Sequence, residues 1–138
     1  MGFLIDTCIW IDVEQGRLTP EDVAKLTGDR PVFLSPVTIA ELRQGAELAP
    51  DPAVRQRRLA ALQRLERKPL LPIDGDTGMI SGSLAAALRS AGRGHRHRIQ
   101  DLWLASQAIQ HGYVLLARDV RDFEDIPGLD LVACDVGT

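Results

Sequence analysis

The stretch QDLWLASQAIQHGYVLLARD, residues 100–119, decides the fold class. Gln100 to His111 reads as a helix, and Gly112 is its C-terminal stop. Tyr113 to Ala117 follows at once as an unbroken apolar run, the pattern of a strand buried on both faces of a parallel sheet. Arg118 to Asp125 is then a polar loop or short helix, Ile126-Pro127-Gly128 turns the chain, and Leu131 to Ala133 makes a short last strand.

Upstream the same grammar repeats. Residues 3–5 (FLI) form an apolar run ending at Asp6. Residues 32–34 (VFL) form another, ending in Ser35-Pro36, an N-cap with proline at the first helical position; the helix continues VTIAELRQGA. Asp51-Pro52 repeats that signal before a helix to about Lys68, in which Val54, Leu59, Leu62 and Leu65 share one face and Arg57, Arg64, Arg67 and Lys68 lie opposite. Leu70 to Ile73 is a candidate strand, and Asp74 or Asp76 caps a helix running to Ala91-Gly92. The run DGDTG at 74–78 looks like the start of a calcium loop, but its twelfth position is Ala85, so helix capping is the better reading. Strands alternating with helices predict an α/β protein: a three-layer α/β/α sandwich around a parallel sheet, with residues 1–138 as a single domain.

Composition narrows the class. At 138 residues, 45% hydrophobic and 25% charged, the chain suits one globular domain and excludes collagen, coiled coil and wholly disordered tails. No apolar run approaches a membrane span, and acids stand where a signal peptide carries bases, so a cytoplasmic protein is expected. Cys8 and Cys134 show no zinc spacing and read as buried thiols. The net charge of −3 conceals a segregation: residues 1–42 carry −4, residues 43–98 carry +6, and residues 99–138 carry −5. Fourteen of the 16 bases are arginine, the better residue for bidentate phosphate recognition, although a GC-rich genome gives the same bias.

Ligand sites in such sheets lie beyond the carboxyl ends of the strands. Asp6 ends the first apolar run, Asp119 follows the Tyr113–Ala117 run after one residue, Asp101 opens the preceding helix, and Glu41 sits one to two turns into the helix after Val32–Leu34. All four could meet on one rim. Converging carboxylates repel unless a cation holds them. An all-oxygen set without His or Cys favours Mg2+, or Mn2+, over zinc. Such a site suits phosphoryl transfer, in which a divalent cation activates water and shields the phosphate. Taken singly, Asp101 also reads as an N-cap, Asp119 as a turn residue and Glu41 as a solvated helix residue.

These residues carry a resemblance. FLIDTCIWID at 3–12, SPVTIAELRQGA at 35–46 and IQDLWLASQAIQHGYVLLARDVRDFEDIPGL at 99–129 resemble the PIN-domain ribonucleases, specifically the VapC-type toxins of bacterial toxin–antitoxin pairs. The resemblance implies a five-stranded parallel sheet between helices. It implies a metal-dependent endoribonuclease that cleaves RNA and inhibits translation and growth. By motif position the family's four acids fall on Asp6, Glu41, Asp101 and Asp119, with Asp6, Asp101 and Glu41 holding a first metal and Asp119 assisting. It further implies a homodimer, a small VapB-type antitoxin whose tail lies across the acidic groove, and operator DNA bound only through the antitoxin complex.

Auxiliary candidates surround the four acids. Asp122 matches a frequent further acid of the family or caps a short helix. Thr7, Ser35 and Thr38 stand where a hydroxyl could hold a phosphate or water, or make ordinary helix-start hydrogen bonds, and Arg118 could hold substrate phosphate. Three departures from the family pattern are Cys8 in place of Asn, Ala117 in place of Thr or Ser, and the unusually basic approach HRHRIQD to Asp101. His95 and His97 fit a solvated basic loop better than a metal site, and Trp10 and Trp103 fit core or dimer packing better than base stacking. Two other readings compete: a PIN-like binding module acting mainly in an antitoxin–DNA complex, and a phosphatase with Asp6 as nucleophile. The latter usually requires a second Asp at position 8, which is Cys8.

Overall fold

The FLI run becomes strand β1 (Phe3–Ile5), whose three residues are all buried. In the computed structural model, which describes residues 1–93 and 99–135, β1 pairs with β2 (Val32–Phe33) on one side and β3 (Val114–Ala117) on the other. Strand β4 (Leu131–Ala133) lies beyond β3, giving the order β2-β1-β3-β4 with every pairing parallel. Ile5 stands opposite Leu116, so β1 and β3 end on one rim. The Asp6 N–H donates to Leu116 O at 2.9 Å, extending the ladder to the first candidate acid.

Strand alternation builds the layers. Leu4, Leu115 and Ala117 face one way and pack with Leu84, Leu88, Leu104 and Ala108. Phe3, Ile5, Val114 and Leu116 face the other way and pack with Ile9, Trp10, Leu18 and Val23. This period of two on a sheet buried on both faces produces the expected three-layer α/β/α sandwich.

Among the described residues the sheet has four strands where five are implied. Leu70 to Ile73 forms only an isolated parallel bridge, Leu70 to Leu34, secured by Leu34 N–H to Pro69 O (2.9 Å) and Leu71 N–H to Leu34 O (2.8 Å). Pro69 and Pro72 bracket the bridge, and neither has an N–H with which to continue a ladder. Buried Gln107 takes over: its Nε2 donates to Leu71 O (2.7 Å), and its Oε1 accepts from the Ser35 hydroxyl.

Two helices lie in a stretch that the sequence reading leaves without elements, α1 (Thr7–Glu14) and α2 (Pro20–Thr27). Helix α2 begins with a capping box between Thr19 and Asp22. Helix α3 (Pro36–Glu47) is capped by Ser35 and α4 (Pro52–Leu65) by Asp51, as the Ser-Pro and Asp-Pro signals predict. Helix α4 stops at Leu65, one turn short of Lys68. Helix α5 (Gly75–Ser90) opens on a capping box of Asp74 and Thr77, so the DGDTG run is a cap. Helix α6 (Ile99–His111) ends before Gly112, whose φ of 68° is the left-handed conformation that a glycine stop supplies. The His95 and His97 loop lies outside the described residues. Among the described residues no helix is long and apolar enough to cross a membrane.

Candidate functional site

Asp6 is both the end of β1 and the N-cap position of α1, and it is 5% exposed. Asp101, in the first turn of α6, is also 5% exposed. Carboxylates are seldom buried this far, and these two stand at the carboxyl rim of the sheet. Helix α6 packs against β1 and α3, and because it runs back along the sheet before β3 its first turn lies toward the carboxyl ends of the strands.

Glu41 reaches the site through hydroxyls. Thr7 Oγ1 donates to Glu41 Oε1 at 2.9 Å and lies 3.0 Å from Thr38 Oγ1. A threonine has one hydroxyl proton; with that of Thr7 given to Glu41, Thr38 is the donor in the second bond. Thr7 and Thr38 are buried, so this relay ties the start of α1 to α3. Asp6, Thr7, Cys8 and Glu41 line one cleft of about 220 Å³, together with Gln44 and the exposed Leu48. Gln44 and Leu48 are not among the sequence candidates; their spacing of three and seven residues from Glu41 is the signal that puts them on its face of α3.

The other candidates are placed elsewhere. Asp119 caps a 3-10 turn (Val120–Asp122) through Arg121 N–H at 3.0 Å. Its two oxygens also accept the Arg121 Nε and Nη2 at 3.0 and 2.9 Å. That guanidinium and the backbone bond hold the Asp119 carboxyl below its ordinary range. Asp122 is exposed on the same turn. Ser35 is fully buried, caps α3 and bonds Gln107, which is the helix-start role. Arg118 donates to Asp12 Oδ1 at 2.9 Å. Cys134 is buried as expected, whereas Cys8 is half-buried in the cleft. Trp10 is core, at 7% exposure, with its Nε1 unpaired and Lys68 Nζ 5.6 Å from its ring centroid. Trp103 is half-buried.

Among the described residues no three His, Cys, Asp or Glu side chains stand together closely enough to hold one ion. Glu41 and Asp119 are instead turned to Thr7 and Arg121. The chemistry of the set still fits a hard divalent cation. Its donors are oxygen only, two of the carboxylates are buried on the rim, and a third shares a cleft with Asp6.

A three-layer α/β/α sandwich with acidic side chains along the carboxyl rim of a parallel sheet is a known plan, and comparison with known proteins gives it a family. The model of the PIN domain matches residues 3–129. Ribonuclease VapC5 of Mycobacterium tuberculosis (strain ATCC 25618 / H37Rv) is 35% identical over 125 residues, 91% of this chain and 87% of that protein. The structure of DNA-bound VapBC from Salmonella typhimurium superposes with a TM-score of 0.84 at 25% identity, over 97% of this chain and 98% of the other. VapBC-5 from Mycobacterium tuberculosis, a member of the VapBC toxin–antitoxin systems, gives 0.78 at 28% identity over 96% and 98%. The chain belongs to the PIN-domain family and, within it, to the VapC ribonucleases.

Proposed function

We propose that the chain, acting as one PIN domain in the cytoplasm, is the toxin of a toxin–antitoxin pair: a divalent-metal-dependent endoribonuclease in which Asp6, Glu41 and Asp101 hold Mg2+ or Mn2+ and Asp119 assists. The observation that carries this reading is the pair of buried carboxylates, Asp6 and Asp101, at the end of β1 and the start of α6. A bound Mg2+ would shield the phosphate charge and supply activated water for in-line attack. The chain's own part is positional. The β1–β3 ladder fixes the Asp6 backbone, and the Thr38–Thr7–Glu41 relay fixes one Glu41 oxygen on the wall of the cleft. Asp119 serves the centre only on leaving Arg121. Ala117 stands where relatives carry a hydroxyl, so orientation of water falls to the carboxylates and to Thr7.

The VapBC complexes among the relatives support an antitoxin and DNA as partners, and the homodimer is what the family resemblance implies. We assign this chain a small antitoxin, homodimerisation, and operator DNA reached through the antitoxin complex. An antitoxin segment needs an apolar seat. A groove of about 510 Å³, separate from the cleft of Asp6 and Glu41, lies between α1, α2 and α4 and is lined by Trp10, Val13, Glu14, Val23, Ala61 and Leu65. Arg57, Arg64 and Lys68 edge it; Arg57 is paired with Glu14 in the lining at 2.9 Å, which leaves Arg64 and Lys68 to suit an apolar segment with an acidic flank. The deciding experiment is cleavage of labelled RNA with Mg2+ or Mn2+ and its block by EDTA. Metal-independent cleavage, or no cleavage over a broad RNA panel, would overturn the reading.

A further inference from the structure

Asp12, on α1, is 4% exposed, and its Oδ1 accepts from two arginines at once: Arg17 Nη1 and Arg118 Nη1, each at 2.9 Å. The arginine side chains remain 58% and 52% exposed. The Asp12 carbonyl accepts the backbone N–H groups of Arg17 (2.9 Å) and Leu18 (3.3 Å), which turns the chain so that Arg17 comes back over the helix end. One carboxylate thus holds two guanidinium groups side by side, and one positive charge is left facing solvent. Each guanidinium has five N–H donors and gives one to Asp12, so both forks keep donors for a further acceptor.

The location gives that charge a purpose. Arg118 follows Ala117 at the end of β3, beside the end of β1. Asp12 is six residues beyond Asp6, about 9 Å along the axis of α1. A nucleic-acid strand crossing the acidic rim meets repulsion from the carboxylates and needs a fixed cation beside them. Arg121, also on this rim, does not provide it, because Asp119 neutralises it one to one.

We propose that Arg17 and Arg118, held in register by Asp12, form a subsite for a backbone phosphate of the RNA adjacent to the one cleaved. Asp12 is a positioning residue and the two arginines are the binding groups. The assignment rests on the ribonuclease reading above, and the test separates the two. Binding of a fluorescent single-stranded RNA is measured by anisotropy in EDTA, and cleavage is measured with Mg2+ or Mn2+, for wild type, Arg17→Ala, Arg118→Ala, the double alanine variant and the double lysine variant. Thermal melts check folding, and Arg17→Ala keeps the test open if loss of Arg118 unfolds the chain. The double alanine variant is expected to bind about tenfold more weakly, with KM raised in parallel and kcat within about twofold; losing one phosphate contact lowers the slope of log affinity against log salt by about 0.7. The double lysine variant, which keeps the charges, restores that slope. Unchanged binding and slope, or loss of kcat or melting temperature with KM unchanged, overturns the subsite and leaves the pair as a structural clamp. Wild type that binds RNA without cleaving it refutes the ribonuclease reading, while the binding series still judges the subsite. Wild type that binds no RNA refutes both.

Discussion

Asp6 follows buried strand β1 and Asp101 lies in the first turn of α6, and each residue is 5% exposed at the rim, where burying a charge is costly unless it is paired or bound. Asparagine keeps their size and removes their charge. Asp6→Asn or Asp101→Asn is therefore expected to cut RNA cleavage by about a hundredfold or more, the scale for losing a group that stabilises developing charge. Asparagine keeps the Asp6 N–H to Leu116 O bond that ends the β1–β3 ladder, and the fold is expected to persist. Gel-based cleavage together with circular-dichroism melts checks both halves, and a fully active, folded variant would remove that residue from the centre. Asp6 was legible at this scale because position alone exposed it, an acid closing an apolar run. Asp12 was not, since its importance comes from burial and from Arg118, 106 residues away, which no local spacing reveals.

The elements show how far local rules reach. The Ser-Pro and Asp-Pro helix starts and the glycine stops were readable because a cap is decided by a few neighbouring residues. Leu70 to Ile73 read as a strand and became a bridge, because the substitute for its ladder is a side chain from α6. Gln107→Ala leaves Leu71 O and the Ser35 hydroxyl without that partner inside the core. The expected cost is about 2–3 kcal/mol, measurable by urea unfolding, and a loss below about 0.5 kcal/mol would deny Gln107 this role. The start of α5 carries a pH signature. Bonds from the Thr77 backbone, Gln110 and the Thr77 hydroxyl hold exposed Asp74 below its ordinary pKa. Its contribution is thus present above the ordinary carboxylate range and is lost as pH falls through the lowered folded value. Gln110→Ala should raise the Asp74 pKa part of the way back, since the Thr77 bonds remain; carbon-detected NMR titration reads it directly.

At the scale of the whole molecule, the segregated charge and the grooves belong to one surface. The acidic ends of the chain supply Asp6, Glu41 and Asp101, and the basic middle supplies Arg57, Arg64 and Lys68 at the edge of the large groove. Between them lies a second groove of about 170 Å³, which shares Trp10, Ala61 and Leu65 with the large one and Ile11, Glu41 and Gly45 with the acidic cleft. One bound segment can therefore cover both its apolar seat and the approach to the carboxylates, which is how an antitoxin would silence the enzyme without altering its fold. Ala61 tests this because it lines both grooves and not the cleft. Glutamate at that position fills the seat, repels an acidic flank and is well tolerated in a helix. Ala61→Glu is expected to weaken antitoxin binding by about tenfold or more, because the longer side chain occupies the apolar seat and pairs with Arg64, one of the cations an acidic flank would use. RNA cleavage by the variant alone should match wild type, and more antitoxin should be needed to suppress it. Calorimetry with a cognate VapB-type antitoxin, paired with cleavage assays at rising antitoxin concentration, measures both effects. Undiminished affinity would move the seat off this face, and lost cleavage without antitoxin would show that the groove and the cleft are not independent.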